Sequence, residues 1–215
     1  MPTFQITKLE FPFAIDERMP MDREQILPIT RQGIVDRWDV RSGHCHVPVW
    51  VYGTLRSDGW NNPVLGSHAR FVCNAWLASN NWALTNTNPN VPFLAPNRSD
   101  CKSHVFGELW SVRYMDVCNH VDRLEGCHLD REDGIYRRSL AGVQIIDDNR
   151  YDIKRLASDC VGYEGVGGIV DAIVYACPSY NADRPMRYGL SDERWKTMHY
   201  DWNGTRYYDY DGEVA

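Results

Sequence analysis

Five apolar runs stand out along an otherwise polar chain. Val47-Pro48-Val49-Trp50-Val51-Tyr52 is continuous, rich in β-branched residues and closed by Gly53. It predicts a strand buried on both faces. Ala69–Ala78, Val105–Val112, Tyr136–Ile146 and Ile169–Cys177 predict four more strands, the last stopped by Pro178. Between the third and fourth, Val117, Val121 and Leu124 recur at i, i+4 and i+7 and predict one helix with a single apolar stripe. Gly126 directly after Glu125 fits the position just past a helix end, where the backbone turns left-handed.

The intervening segments carry weaker patterns. Ser79–Lys102 is rich in Asn, Pro and Ser and reads as a loop, with the apolar island Phe93-Leu94-Ala95-Pro96 tucked inward. Residues 147–168 are charged and glycine-containing and read as an insertion. Residues 1–46 form an N-terminal extension with a short helix expected around Met21–Ile26. The tail, 179–215, is aromatic and acidic, with a helix expected at Ser191–Tyr200. Several strands with one interposed helix predict an α+β fold: a small β-barrel or strongly curved mixed sheet with the helix packed on it. The domain is expected to span 47–178, with both extensions packed against it.

Composition narrows the function classes. A length of 215 residues suits one substantial domain with extensions. A net charge of −6 argues against a nucleic-acid partner, which needs a basic field. No apolar run has the length of a membrane span, and the first residues lack the pattern of a signal peptide, so a cytoplasmic protein is expected. The seven cysteines are odd in number and sit mostly in apolar contexts, which predicts buried reduced thiols. Asn97-Arg98-Ser99 and Asn203-Gly204-Thr205 match the glycosylation pattern and, without a secretion signal, read as coincidence.

Two spots hold candidate chemistry. In Tyr52-Gly53-Thr54-Leu55-Arg56 a buried strand runs into glycine, which allows a ligand close to the backbone. Consecutive free N–H groups there can hold a carboxylate or a developing oxyanion. The plainer reading is a simple turn. In Leu124-Glu125-Gly126 a carboxylate ends a helix, against the negative end of its dipole. That placement should raise the pKa of Glu125 and suit it to general-base work near neutral pH. The plainer reading is a solvated surface glutamate. Glu108, beside Gly107 on a strand, reads as the structural partner of a buried Arg or Tyr. His44-Cys45-His46 lacks a second cluster at ligand spacing, so no metal is expected.

Taken together these segments resemble a known family. Tyr52-Gly53-Thr54-Leu55-Arg56 is similar to the opening motif of the γ-glutamylcyclotransferase-like fold, and closest to its γ-glutamylamine cyclotransferase branch. Val105-Phe106-Gly107-Glu108-Leu109-Trp110 resembles that family's central strand. Val121-Asp122-Arg123-Leu124-Glu125-Gly126-Cys127 with Tyr136-Arg137-Arg138 resembles its helix end and return strand, and Val174-Tyr175 its closing strand. The resemblance implies a small β-barrel, Glu125 as catalytic acid/base, and substrate binding by Tyr52, Gly53, Thr54 and Leu55 largely through backbone. Tyr136 is a further candidate substrate contact, with a core role as its alternative.

The implied reaction closes a ring. The α-amine of a γ-glutamyl amine, peptide or conjugate attacks its own γ-carbonyl, releasing 5-oxoproline and an amine without metal or organic cofactor. The implied partner is a small γ-glutamyl substrate. Two alternatives stay open: an inactive binding module on the same fold, and an acyl-transfer or deprotecting enzyme acting on a γ-glutamylated larger molecule.

Overall fold

A computed structural model of the chain describes residues 25–79, 81–88, 91–97, 105–127, 136–146 and 168–177, with the strand pair His199–Tyr200 and Arg206–Tyr207. The strands, in chain order, are β1 (Leu27–Pro28), β2 (His46–Val51), β3 (Arg70–Leu77), β4 (Trp82–Asn88), β5 (Val91–Pro96), β6 (Phe106–Arg113), β7 (Arg137–Ile145), β8 (Ile169–Ala176), β9 (His199–Tyr200) and β10 (Arg206–Tyr207). Helix α1 spans Arg31–Arg37. Helix α2 runs through three consecutive pieces: an α turn at Tyr114–Asp116, a wider π turn at Val117–Val121 and an α turn at Asp122–Leu124.

The main sheet has the order β1-β7-β3-β6-β2-β8, and β8 returns to pair with β7. Five strands therefore close into a barrel, with β1 added alongside β7. Every pairing is antiparallel except β2 with β8. Strand alternation sorts the side chains into two cores, one on each face of the sheet. Trp50, Leu109, Ala141, Val143, Ala172 and Val174 pack on one face. Val47, Val49, Val51, Trp110, Val112 and Ile173 pack on the other, with Val117 and Val121 from α2 and Ile34 and Trp38 from α1. The expectation of a β2 strand buried on both faces holds.

All five predicted strands are present, with no end shifted by more than one residue. Elsewhere the expectations need correction. The predicted loop Ser79–Lys102 contains the hairpin β4–β5, paired from Trp82↔Pro96 to Asn88↔Val91. Its apolar island is buried at Phe93, Leu94 and Ala95, as expected. Residues 21–24 of the helix expected at Met21–Ile26 lie outside the described residues, and Gln25–Ile26 are not helical. The helix comes later, as α1. Its interior Gly33 lowers its propensity. Its stability comes from the Thr30 cap, whose hydroxyl accepts from the Gly33 N–H at 3.0 Å, and from burial of Ile34 and Trp38. Burying each such side chain stabilises by roughly 1.5–3 kcal/mol. An ion pair from Arg37 to Asp171 fixes α1 to β8. The insertion at 147–168 lies outside the described residues apart from Gly168. So does the helix expected at Ser191–Tyr200, except that His199–Tyr200 is extended and pairs with β10.

The predicted stripe on α2 holds at Val117 and Val121 and fails at Leu124, which is 42% exposed. A π turn carries more residues than an α turn and rotates the positions that follow it. Asp122 becomes the fully buried residue, and Leu124 turns outward.

Gly107 owes its place to close approach. A Cβ there would lie 2.5 Å from the Val51 carbonyl oxygen and 2.6 Å from the Trp50 ring. Both neighbours are buried, so neither can yield cheaply. Gly107→Ala is expected to cost about 2 kcal/mol or more by overpacking. In a thermal melt that lowers Tm by roughly 4–8 °C. An unchanged Tm would mean that β2 and β6 can separate freely here.

The five described cysteines are free thiols, and Cys73, Cys118, Cys127 and Cys177 are buried. Among the described residues no helix is long and apolar enough to cross a membrane.

Candidate active site

Strand β2 ends at Val51, and the chain turns away from the barrel through Tyr52-Gly53-Thr54-Leu55. The carbonyls of this turn are used internally: Gly53 O accepts from Arg56 N at 3.0 Å and Thr54 O from Asn61 N at 3.0 Å. Among the described residues, the N–H groups of Gly53, Thr54 and Leu55 find no protein acceptor. The turn is clamped from below by Glu108. Its buried carboxylate accepts from the Ser57 N–H at 2.7 Å, the Ser57 hydroxyl at 2.6 Å and the Trp110 indole N–H at 3.0 Å. Arg56 approaches the same carboxylate at 3.8 Å and lies over the Phe106 ring. Glu108 is thus a structural partner, as the sequence suggested.

The end of α2 faces this turn. Glu125 caps the helix and Gly126 has φ +72°, the left-handed conformation expected of it. Cys127 N–H donates to Asp122 O at 2.7 Å and Gly126 N–H to Arg123 O at 3.3 Å, the paired bonds of a Schellman cap. This cap sets where the Glu125 side chain leaves the helix.

A cavity of about 260 Å³ lies between the two elements. Tyr52, Gly53, Thr54, Leu55, Glu125 and Tyr136, all six predicted site residues, line it. Trp50, Val51, Trp60, Asn61, Leu124 and Tyr175 complete the wall. Glu125 is the one charged side chain among these lining residues. It is half-buried. Its carboxyl is pushed up to about 8, first by burial and second by the neighbouring carboxylate of Asp122. The direction matches the expectation from the helix end, but desolvation is the larger cause.

Tyr52 and Tyr136 contribute differently. The Tyr52 hydroxyl donates to Tyr175 O at 2.7 Å and accepts from Leu94 N–H at 3.3 Å, so it ties the hairpin to β8. Burial pushes its pKa well above the usual phenol value. Tyr136 stacks on Phe93, with ring centroids 5.5 Å apart, and keeps one side to the cavity.

Beneath Glu125 lies a buried polar cluster that sequence reasoning quoted without assigning. Asp122 accepts from Arg138 at 2.5 Å, Arg31 at 3.2 Å and the Tyr175 hydroxyl at 2.8 Å. Arg31 also donates to Cys118 O at 2.8 Å, so α1 is wired into the same cluster. A signal existed in the sequence: an aspartate three residues before Glu125, next to a buried valine, with Arg138 on the return strand. Trp60 was also missed. Its signal was a lone tryptophan in the polar turn Ser57-Asp58-Gly59-Trp60-Asn61-Asn62. Among the described residues no group of His, Cys, Asp and Glu is gathered to hold a metal. His46 instead shares a 3.0 Å hydrogen bond between its Nδ1 and the Ser111 hydroxyl.

Residues 49–197 match the sequence pattern of the family described as Gamma-glutamyl cyclotransferase, AIG2-like. The chain belongs to this family. The closed barrel with its packed helix is the fold of these γ-glutamyl cyclotransferase, AIG2-like proteins, a family of cyclotransferase-type enzymes. Solved structures similar to the chain include an AIG2-like protein from Mus musculus, at 21% identity over 69% of this chain and 90% of that one, with a TM-score of 0.48. An uncharacterised protein from Pyrococcus horikoshii shows 19% identity over 69% of this chain and 92% of its own, with a TM-score of 0.39. YkqA from Bacillus subtilis shows 17% identity, covers 61% of this chain and 35% of its own, and has a TM-score of 0.38. No curated protein matches the chain in sequence at a significant level.

Within this AIG2-like chain the cavity supplies two complementary parts. One wall carries the turn whose Gly53, Thr54 and Leu55 N–H groups find no acceptor among the described residues. The other offers a carboxyl that can change protonation state near neutral pH.

Proposed function

We propose that this chain is a γ-glutamyl cyclotransferase that releases 5-oxoproline and a free amine from a γ-glutamyl amine, peptide or conjugate. The supporting observation is the cavity shared by Glu125 and the turn Gly53–Leu55. The motifs around Tyr52–Arg56 and Glu125–Gly126 favour the γ-glutamylamine branch.

Ionised Glu125 takes a proton from the substrate's α-ammonium. The freed amine attacks the γ-carbonyl carbon and closes a five-membered ring. The turn's N–H groups hold the negative oxygen, either of the α-carboxylate or of the tetrahedral intermediate. Glu125 then returns its proton to the leaving nitrogen as the C–N bond breaks, takes the second proton from the ring nitrogen and passes it to the released amine, which departs as an ammonium ion. Atoms and charge balance without an oxidant, reductant or water. Intramolecular attack carries a high effective molarity, so holding the substrate folded supplies much of the acceleration.

The pH dependence follows from Glu125. Below about 8 the free site holds the protonated acid, which cannot serve as base. The kcat/KM for 5-oxoproline release should therefore rise with pH and level off above about 8. The bound α-ammonium favours the carboxylate, so the same limb in kcat should lie at lower pH. A pH profile on a γ-glutamyl amine, with 5-oxoproline quantified, tests both. No 5-oxoproline, or a flat profile between pH 6 and roughly 9, would sink the mechanism.

A further inference from the structure

Among the described residues four large hydrophobic side chains are exposed: Leu27, Trp60, Met115 and Leu124. Trp60 and Leu124 line the same cavity, one from the turn after β2 and the other from the end of α2. Trp60 is 65% exposed, the most of the four. A tryptophan exposed to this extent forgoes part of its burial gain, and apolar surface concentrated beside a cavity marks a binding surface.

Nor is Trp60 carried on a slack loop. Asn61 N–H donates to Thr54 O at 3.0 Å and Asn62 N–H to Gly59 O at 3.2 Å. The Asn61 side-chain amide donates to the Thr54 hydroxyl at 3.0 Å, and that of Asn62 to Leu55 O at 2.8 Å. Asn61 and Asn62, directly after the indole, are thus bonded back to Thr54 and Leu55, and Gly59, directly before it, donates its N–H to Arg56 O at 2.8 Å. Such bracing holds an aromatic surface at a set place beside the cavity, so a ligand need not order it on binding.

Leu124 sits one residue before Glu125. In the reaction above, Glu125 must reach the leaving nitrogen, so the group on that nitrogen lies close to Leu124. The charge pattern points the same way. Glu125 is the only charged side chain lining the cavity among the described residues, and its proton transfer occupies it. A cationic leaving group would find no second carboxylate in the wall and would lose hydration against Leu124.

We propose that Trp60 and Leu124 form a leaving-group subsite that selects γ-glutamyl conjugates whose amine carries an aromatic or other apolar body. This rests on the cyclotransferase reading, and deepens it by naming the half of the substrate that the γ-glutamyl chemistry leaves open.

The test uses the full chain and three conjugates with the same acyl half: γ-glutamyl-methylamine, γ-glutamyl-2-phenylethylamine and mono-γ-glutamyl-1,4-diaminobutane. The phenylethyl conjugate is expected to exceed the methyl one in kcat/KM by about tenfold or more, the scale of one aromatic contact. In Trp60→Ala the ratio should fall towards one, and in Trp60→Phe most of it should return. A wild-type ratio near one, a ratio unchanged in Trp60→Ala, or preference for the diaminobutane conjugate would overturn the subsite. If no conjugate yields 5-oxoproline, the reaction assignment falls, and calorimetry with the same conjugates judges the subsite separately. Tighter phenylethyl binding that Trp60→Ala removes supports it; equal affinities, or no binding, overturn it.

Discussion

Glu125→Gln is expected to lower kcat for 5-oxoproline release by about 10²–10⁴-fold, the usual worth of a positioned proton-transfer group. Gln keeps the size and the helix-capping position but can neither take the α-ammonium proton nor return one to the leaving nitrogen. Residual turnover would reflect substrate folding alone. Full activity in the variant would remove Glu125 from the mechanism. The same change should alter stability in a pH-dependent way, which separates a true site carboxylate from a solvated one. Glu125 has its pKa raised in the folded chain from 4.5 to about 8. Its ionisation therefore opposes folding. The cost is absent below pH 4.5, grows between 4.5 and about 8, and is complete above that. The Gln variant carries no such cost. Wild type and variant should melt together in acid, and the variant should melt higher in alkali. With the partial exposure of Glu125 discounted, the gap is on the order of 2 kcal/mol, or roughly 4–8 °C. Equal melting points at every pH would show that Glu125 is solvated in the folded chain.

Asp122→Ala should cost more stability than any other change at the site. Its carboxylate is fully buried and receives Arg138, Arg31 and the Tyr175 hydroxyl. Removing one member of a buried charge cluster costs about 3–5 kcal/mol, because the remaining charge loses its compensating carboxylate. A fall in Tm of roughly 10 °C is expected. A loss under about 1 kcal/mol would mean that water already reaches the cluster. Asp122→Asn retains an acceptor for the Tyr175 hydroxyl and removes only the charge, so it should fold better. It also has a second readout. Asp122 is the second cause of the raised Glu125 pKa. Its neutralisation should move the acid limb of kcat/KM to lower pH. A stability loss with an unmoved limb would make Asp122 purely structural.

The barrel strands were legible because each is a mostly apolar stretch, interrupted only by single polar residues such as Asn74, Glu108 and Asp171 in its middle. β2, β3, β6, β7 and β8 bury both faces against the two cores, and such burial writes itself into the residues whatever their partners are. The hairpin β4–β5 was not legible. Asn, Thr and Pro interrupt its apolar positions, and its pairing depends on Leu84 and Leu94 meeting the barrel core. β1 is two residues long and contains proline, so no local pattern could mark it. α1 holds a glycine and buries only Ile34 and then Trp38 past its end. The π turn defeated the helical stripe at Leu124, because a 3.6-residue period assumes an unbroken α-helix.

The sequence by itself determined the five barrel strands, the helix end at Glu125-Gly126 and the two motifs on which the proposed chemistry rests. These are local properties: apolar runs, a glycine in left-handed backbone, a carboxylate beside it. Only the tertiary structure decided that Tyr52–Leu55, Glu125 and Tyr136 wall one cavity, since they come from a strand end, a helix end and the entry to another strand. It also brought Arg31 and Arg138 to Asp122 across 91 and 16 residues of chain, and stood Trp60 at the same cavity as Leu124. Such meetings depend on barrel closure and on the rotation a π turn imposes, and no residue's own neighbours in sequence encode either. The dipole argument drawn from sequence foresaw the direction of the Glu125 shift. Its size is set by burial and by Asp122, which exist only once the chain is folded.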